Sequence, residues 1–422
     1  MQNPDHILGN TPLSTFLAEY WQQKPLLIRS AIENYASPIS ADEMAGLACE
    51  PEVESRIILE RDGEHPWQCL HGPFEATVFT ELPATHWTLL LQSCNLHIPA
   101  FAQLLERFRF IPNWRVDDVM VSYAAPGGSV GPHTDNYDVF LLQAQGKRRW
   151  GISTRAVADE DFIPDLGLKV LKSFEPEQSW VLAAGDMLYL PPGVIHFGVA
   201  DESLSAQDQE GEDCITISIG FRAPNLTELC GALLDEVLAQ QTTSRGSEQA
   251  ANFYRDPNLP LQENPGEISA QALAKIKAMV QQELDRRLQE SDWFGKYITT
   301  TLAMTDESPT EPEDNPAQYL QFLAEGHPLV RNEDSKLAYF LADKTAQDKH
   351  RAIHFFCNGH VKYYPLEMLE IIQLVCNHRY PPVAELNNAL ADSEAQTFLA
   401  KLIYDGHFDY IDHLADGCEH ED

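Results

Sequence analysis

The stretch Pro126-Gly127-Gly128-Ser129-Val130-Gly131-Pro132-His133-Thr134-Asp135, answered downstream by Leu190-Pro191-Pro192-Gly193-Val194-Ile195-His196, decides how this chain is read. Residues two apart on a strand point the same way, so His133 and Asp135, read as strand residues, reach one ion while Thr134 faces elsewhere. Two imidazoles and one carboxylate fill one face of a non-haem iron(II) centre and leave the other open for a cosubstrate and dioxygen. Alone, an H-x-D carries little weight among 15 His and 64 acidic residues. Its setting adds the weight. A Gly- and Pro-rich approach precedes it, the apolar run Tyr137-Asp-Val-Phe-Leu-Leu-Gln143 follows, and a strand from Met187 to Leu190 with a Pro-Pro-Gly corner holds His196 rigidly. The competing reading is a structural histidine beside a turn.

Outward from this stretch, strand signals separated by Gly and Pro run to about Arg222, the pattern of a sandwich or barrel. Upstream, residues 1–100 read as an α/β lead-in. Thr15 to Trp21 is amphipathic, Lys24 to Arg29 is extended around its proline, and Ile57-Ile-Leu-Glu60 and Trp67-Gln-Cys-Leu70 flank an Asp62-Gly63 turn. After Ala223-Pro224 the period becomes helical. Leu226, Leu229, Leu233, Leu234, Val237 and Leu238 share a face, and a second helix spans Ala272 to Leu288. Such broad apolar faces either cover the sheet or meet a second subunit. The acid- and Pro-rich segment Thr305 to Pro316 is the clearest linker. Beyond it, strands at Leu337–Leu341, His354–Cys357 and Val361–Tyr364, an Asn358-Gly359 turn, and helices near 366–376, 383–390 and 393–404 have the make-up of a winged helix.

A chain of 422 residues exceeds one ordinary core, so two or three domains are expected. Hydrophobic content of 44% with 9% aromatics marks a globular protein. A net charge of −35 repels nucleic-acid phosphates and suits a basic protein partner, or serves solubility alone. No apolar run approaches the roughly 18 residues of a membrane span, and the N-terminus lacks signal-peptide regions, so a cytoplasmic protein is expected. The 8 cysteines form no C-x-x-C pair, which favours free thiols over zinc or disulfides.

Iron that activates dioxygen needs a two-electron donor, and a metal-chelating 2-oxoacid is one solution. Its distal carboxylate then needs a buried cation. Lys147-Arg148-Arg149 supplies three candidates that spacing alone does not separate; Arg222 is a second cation at a strand end, and Ser122 offers a hydroxyl. Alternation places Asp118, Met120 and Ser122 on one face of a strand, Tyr137 in parity with His133 and Asp135, and Ser218 in parity with Arg222. A carboxylate, a thioether and an aromatic ring aimed at one cavity suit a side chain with an aliphatic stem and a cationic head.

The blocks Trp114-Arg-Val-Asp-Asp-Val-Met-Val-Ser-Tyr123, Pro126 to Gln143, Gly146-Lys-Arg-Arg-Trp150, Gly185 to His196 and Gly220-Phe-Arg-Ala-Pro224 closely resemble the bacterial ribosomal oxygenases of the JmjC class. The resemblance is dense from about 80 to 260 and weaker elsewhere. It implies an α+β chain: a double-stranded β-helix (cupin/JmjC jelly roll) over 101–225, a helical dimerisation region over 226–304, and a winged-helix-like module over 317–422. It implies iron(II) held by His133, Asp135 and His196, and 2-oxoglutarate bound by Arg148 with Ser122 and Arg222 assisting. Asp118, Met120, Tyr137 and Ser218 would receive the substrate. The implied reaction hydroxylates C3 of an arginine in the sixteenth protein of the large ribosomal subunit, and the implied assembly is a homodimer. The alternatives are a JmjC histidyl hydroxylase or demethylase of another basic protein, or a non-enzymatic cupin/winged-helix regulator. One departure is the acidic loop Asp201 to Asp213, longer than the resemblance leads one to expect.

Overall fold

The computed structural model describes residues 7–60, 67–164, 166, 168–200, 213–243, 253–257, 266–290, 292–300, 316–342 and 351–411. The Asp62-Gly63 turn, all of the acidic loop but Asp213, and the 305–316 linker up to its last residue lie outside them. The chain divides into two compact units, Met1–Ala223 and Pro224–Asp422.

The first unit contains β1 (Leu26–Ile28), β2 (Ser55–Glu60), β3 (Trp67–His71), β4 (Trp87–Leu91), β5 (Val116–Ala124), β6 (Asp138–Gln145), β7 (Lys147–Ser153), β8 (Gln178–Ala183), β9 (Met187–Leu190), β10 (Ile195–Ala200) and β11 (Cys214–Phe221). They form an eight-stranded sheet in the order β1-β9-β6-β11-β5-β4-β2-β3 and a three-stranded sheet in the order β10-β7-β8. Thus β1 to β4, read from sequence as a lead-in, belong to the same sheet as the later strands.

Period-two alternation sorts each strand into two environments. Ile215, Ile217 and Ile219 of β11, Phe140 and Leu142 of β6 and Val119 and Val121 of β5 pack outward onto a core with Phe16, Phe101 and Phe108. Their alternates face the other way. Val139, Leu141, Leu188 and Leu190 of the large sheet meet Trp150, Ile152 and Leu182 of the small one. Two antiparallel sheets closed on that shared interior make the double-stranded β-helix of the cupin/JmjC type. Polar residues of the inward set, among them Ser122, Gln143, Arg148, His196, Thr216 and Ser218, are buried with it.

In the second unit, the helices Leu226–Thr243, Ala270–Gln289 and Asp292–Thr299 precede an α+β module. Its strands are β12 (Leu329–Arg331), β13 (Leu337–Leu341), β14 (Ile353–Cys357), β15 (His360–Tyr364) and β16 (Phe408–Tyr410), paired as β12-β16 and β13-β14-β15. Asn358 and Gly359, with φ of 43° and 81°, turn the β14–β15 hairpin, since a type I′ two-residue connection needs positive φ at both positions. Helices Leu369–Asn377, Val383–Ala389 and Ser393–Tyr404 close this winged-helix module over a core that includes Ile372, Val375, Leu399 and Phe408.

Candidate metal centre and the cavity around it

His133, Asp135 and His196 each offer a ligand atom, and these atoms lie within 4.8 Å of one another. Asp135 stands between the imidazoles. Its Oδ1 is 3.9 Å from His133 Nε2 and its Oδ2 is 3.6 Å from His196 Nε2. Each ring is fixed from behind, because His133 Nδ1–H donates to the Gly131 carbonyl at 2.9 Å and His196 Nδ1–H to that of Val194 at 3.1 Å. That tautomer turns both Nε2 lone pairs toward Asp135. Burial, and then the neighbouring His133, pushes the pKa of His196 down to about 4, so the ring is neutral and able to ligate near pH 7.

The sequence reading places His133 and Asp135 on a strand; the structure corrects this. Strand β6 begins only at Asp138, and His133 makes a single bridge to His196, with each N–H donating to the other's carbonyl at 3.1 and 2.9 Å. Gly193 N–H then donates to the Asp135 carbonyl at 2.8 Å. The Pro191-Pro192-Gly193 corner thus clasps the H-x-D segment directly. Gly131 makes the approach possible: at φ 80° it avoids a Cβ that would sit 2.6 Å from Val170.

Alternation on β7 separates the basic triplet. Lys147 and Arg149 are exposed, whereas Arg148 is buried and shares its face with Trp150 and Ile152. Its Nη1 donates to Ser122 Oγ at 3.1 Å and Thr216 Oγ1 at 3.3 Å, and its Nη2 to the Gly198 carbonyl at 3.3 Å. Its Nε is buried without a partner, and among the described residues no carboxylate pairs with it. A buried guanidinium with neutral partners and an idle donor is a site made for an anion. Gly198 is what admits it, because a Cβ there would stand 2.8 Å from Arg148 Nε and 2.7 Å from the Trp150 ring. Thr216 is missing from the sequence reading, although the alternation Ile215-Thr216-Ile217-Ser218-Ile219 marks it as an inward polar residue.

The structure does not bring Arg222 to this guanidinium. Phe221 lies opposite Val116 on β5, whereas Thr216 lies opposite Ser122, so at about 3.3 Å per residue the two ends are roughly 20 Å apart. Beyond a register shift at Ile219/Phe221, Arg222 Nε meets Asp117 Oδ1 at 3.2 Å.

Asp118 and Tyr137 border one space, and the Asp135 carboxylate lies near enough to act on the Tyr137 phenol. A Cβ on Gly220 would lie 3.5 Å from Asp118 Oδ1 and 3.9 Å from Tyr137 Cε2. Tyr137 is exposed on one side, yet desolvation of its phenol, then the carboxylates of Asp135 and Asp118, pushes its pKa up. Ser218 is buried opposite Met120, and Met120 packs against the cluster of Ile58, Trp67, Leu90 and Val170. Asp118 Oδ2 accepts from Gln92 Nε2 at 2.6 Å, Ser93 N–H at 2.9 Å and Ser93 Oγ at 3.3 Å. Burial and Asp117 push its pKa up while these three donors hold it down. Gln92 and Ser93 are also missing from the sequence reading; they follow β4, whose apolar run Trp87–Leu91 carries no chemical signal.

Fold and site define an oxygenase-type JmjC domain, and the JmjC domain family matches residues 103–229. A ROXA-like winged helix matches residues 281–409. The chain is 37% identical over 316 residues, 75% of this chain and 79% of the relative, to the ribosomal protein uL16 3-hydroxylase of Escherichia coli K12. It also superposes, at a TM-score of 0.75 and 31% identity, on YcfD, a ribosomal oxygenase from Escherichia coli in complex with cobalt and 2-oxoglutarate, covering 95% of this chain and 99% of that one. The same relative in complex with cobalt and succinic acid gives a TM-score of 0.74 at 30% identity, with 95% and 99% covered. The chain belongs to the bacterial JmjC-class ribosomal oxygenases.

Proposed function

We propose that this protein is an Fe(II)- and 2-oxoglutarate-dependent hydroxylase that adds a hydroxyl to C3 of an arginine in large-subunit ribosomal protein uL16. The observation that carries the reading is the pairing of a His-Asp-His cluster with a buried Arg148 that no carboxylate among the described residues pairs, inside one barrel. His133, Asp135 and His196 would hold the iron, three groups contributing one negative charge. Bound together, iron and 2-oxoglutarate supply the chemistry: dioxygen is reduced by two electrons from oxidative decarboxylation and two from the C–H bond, giving succinate, carbon dioxide and alcohol.

The rest is orientation, since the oxidant is otherwise indiscriminate. Arg148, with Ser122 and Thr216 steadying its Nη1, receives the distal carboxylate of 2-oxoglutarate and so sets which way the 2-oxoacid end points. Asp118 receives the cationic head of the substrate side chain, with Tyr137, Met120 and Ser218 around its stem. The carboxylate favours arginine over the histidine of the alternative reading, and a net charge of −35 suits a basic ribosomal protein. The same charge disfavours the regulator, which must bind DNA. Mass spectrometry of large-subunit proteins from cells with and without this protein tests the proposal. One uL16 arginine gains the mass of one oxygen only when the protein is present; a modified histidine, a lost methyl group or no change contradicts it.

Such a substrate places the protein in the cytoplasm, and no described helix is long and apolar enough to cross a membrane. The helical region 226–304 pairs two copies. Leu273, Ile276 and Val280 at helical spacing on Ala270–Gln289, with Leu234 and Leu238 on Leu226–Thr243, expose apolar faces to solvent in the single chain. Ile276→Glu with Val280→Glu converts a dimer to a monomer in light scattering. A parent that is already monomeric, or a double variant that stays dimeric, removes this assignment.

A further inference from the structure

Arg56 reaches the cavity from the neighbouring strand pair. It is opposite Leu90 on β4, and Leu90 is opposite Ser122 on β5, so Arg56, Gln92 and Asp118 all sit on the inward face of the large sheet. Arg56 Nη2 donates to Gln92 Oε1 at 3.2 Å, and Gln92 Nε2 donates to Asp118 Oδ2 at 2.6 Å. One amide therefore separates a fixed cation from the carboxylate that awaits a mobile one. The amide presents its acceptor to the guanidinium and its donor to the carboxylate, the only arrangement in which both are satisfied. Ser93, held at φ 53°, adds its N–H and hydroxyl to the same Oδ2. This leaves Oδ1, on the side of Tyr137 and Gly220, with no partner among the described residues.

We infer that Gln92 is a spacer that keeps Arg56 off Asp118, so that the carboxylate stays available to the substrate's cation. This rests on the reading of Asp118 as the acceptor for the substrate arginine. Without the spacer, an internal Arg56–Asp118 pair would form and compete with substrate, and the protein would inhibit itself. A purely structural Gln92 predicts general loss of stability or turnover. A spacer predicts a selective loss that is cured by removing Arg56.

The test uses the full chain and a peptide carrying the uL16 arginine, reading kcat and KM for peptide and for 2-oxoglutarate. Gln92→Ala is expected to raise the peptide KM by about tenfold, because Asp118 then engages an internal cation that the peptide must displace, with kcat and the 2-oxoglutarate KM near parental values. Adding Arg56→Gln to Gln92→Ala is expected to restore most of the loss. Arg56→Gln alone, which removes a cation beside a cationic substrate, is expected to lower the peptide KM; this arm stands even if Gln92→Ala fails to fold. A double variant as impaired as Gln92→Ala, or a raised peptide KM in Arg56→Gln, overturns the spacer. Asp118→Asn separates the two levels. If it leaves the peptide KM unchanged, the pocket assignment itself fails; if it raises KM while the rescue fails, only the spacer does.

Discussion

Asp135→Ala abolishes 2-oxoglutarate-dependent oxidation of substrate, with turnover falling by at least about a thousandfold, since loss of an outer-sphere partner alone typically weakens metal sites by about 10- to 100-fold. Asp135 supplies the only anion of the three-residue cluster and stands between both Nε2 atoms. Its removal leaves only the two imidazoles, and burial holds that of His196 neutral. The fold has no reason to fail with it. Its side chain is outside the hydrophobic clusters, and its carbonyl, which accepts from Gly193, is unaffected by the change. Circular dichroism and the melting temperature should therefore match the parent while succinate release disappears. Retained oxidation in Asp135→Ala or His133→Ala would move the metal elsewhere.

Arg148→Met raises the 2-oxoglutarate requirement by about two to three orders of magnitude, the range expected when one partner of a buried charge pair is truncated. The same substitution has a second expected effect of opposite sign. With no cosubstrate bound, Arg148 is a desolvated cation with only neutral partners and an idle Nε. Burial accordingly pushes its pKa down. Methionine fills similar volume with no charge to desolvate, so the cosubstrate-free variant should melt at a higher temperature than the parent. It should also lose the further stabilisation that 2-oxoglutarate gives the parent. Calorimetry with and without 2-oxoglutarate reads both. An unchanged cosubstrate requirement would assign the carboxylate to another cation.

How much of this was legible in the sequence depended on how local each signal is. The strands Met187–Leu190 and Leu337–Leu341 and the helices around 226–243 and 270–289 follow from periodicity, because one buried face writes its pattern into consecutive residues. The same logic, taken one step further, selects Arg148 from the basic triplet, since it shares parity with Trp150 and Ile152. What parity could not reach were positions where the ladder breaks. His133 and Asp135 converge through a one-residue bridge and a Pro-Pro-Gly clasp, not a strand. Arg222 lies beyond a register shift that carries it to Asp117. Gln92 and Ser93 act from a turn after β4, and only the pairing of β2, β4 and β5 brings them to Asp118.

The most direct test of the central claim, one ferrous ion held by three side chains beside an Arg148-bound cosubstrate, is an anaerobic titration of the metal-free protein with Fe(II) and 2-oxoglutarate. The expected result is a visible charge-transfer band that saturates at one iron per chain, appears only with both components, and is absent from Asp135→Ala. A parent protein that takes up no ferrous iron, or an Asp135→Ala variant that gives the same band at the same stoichiometry, would contradict it.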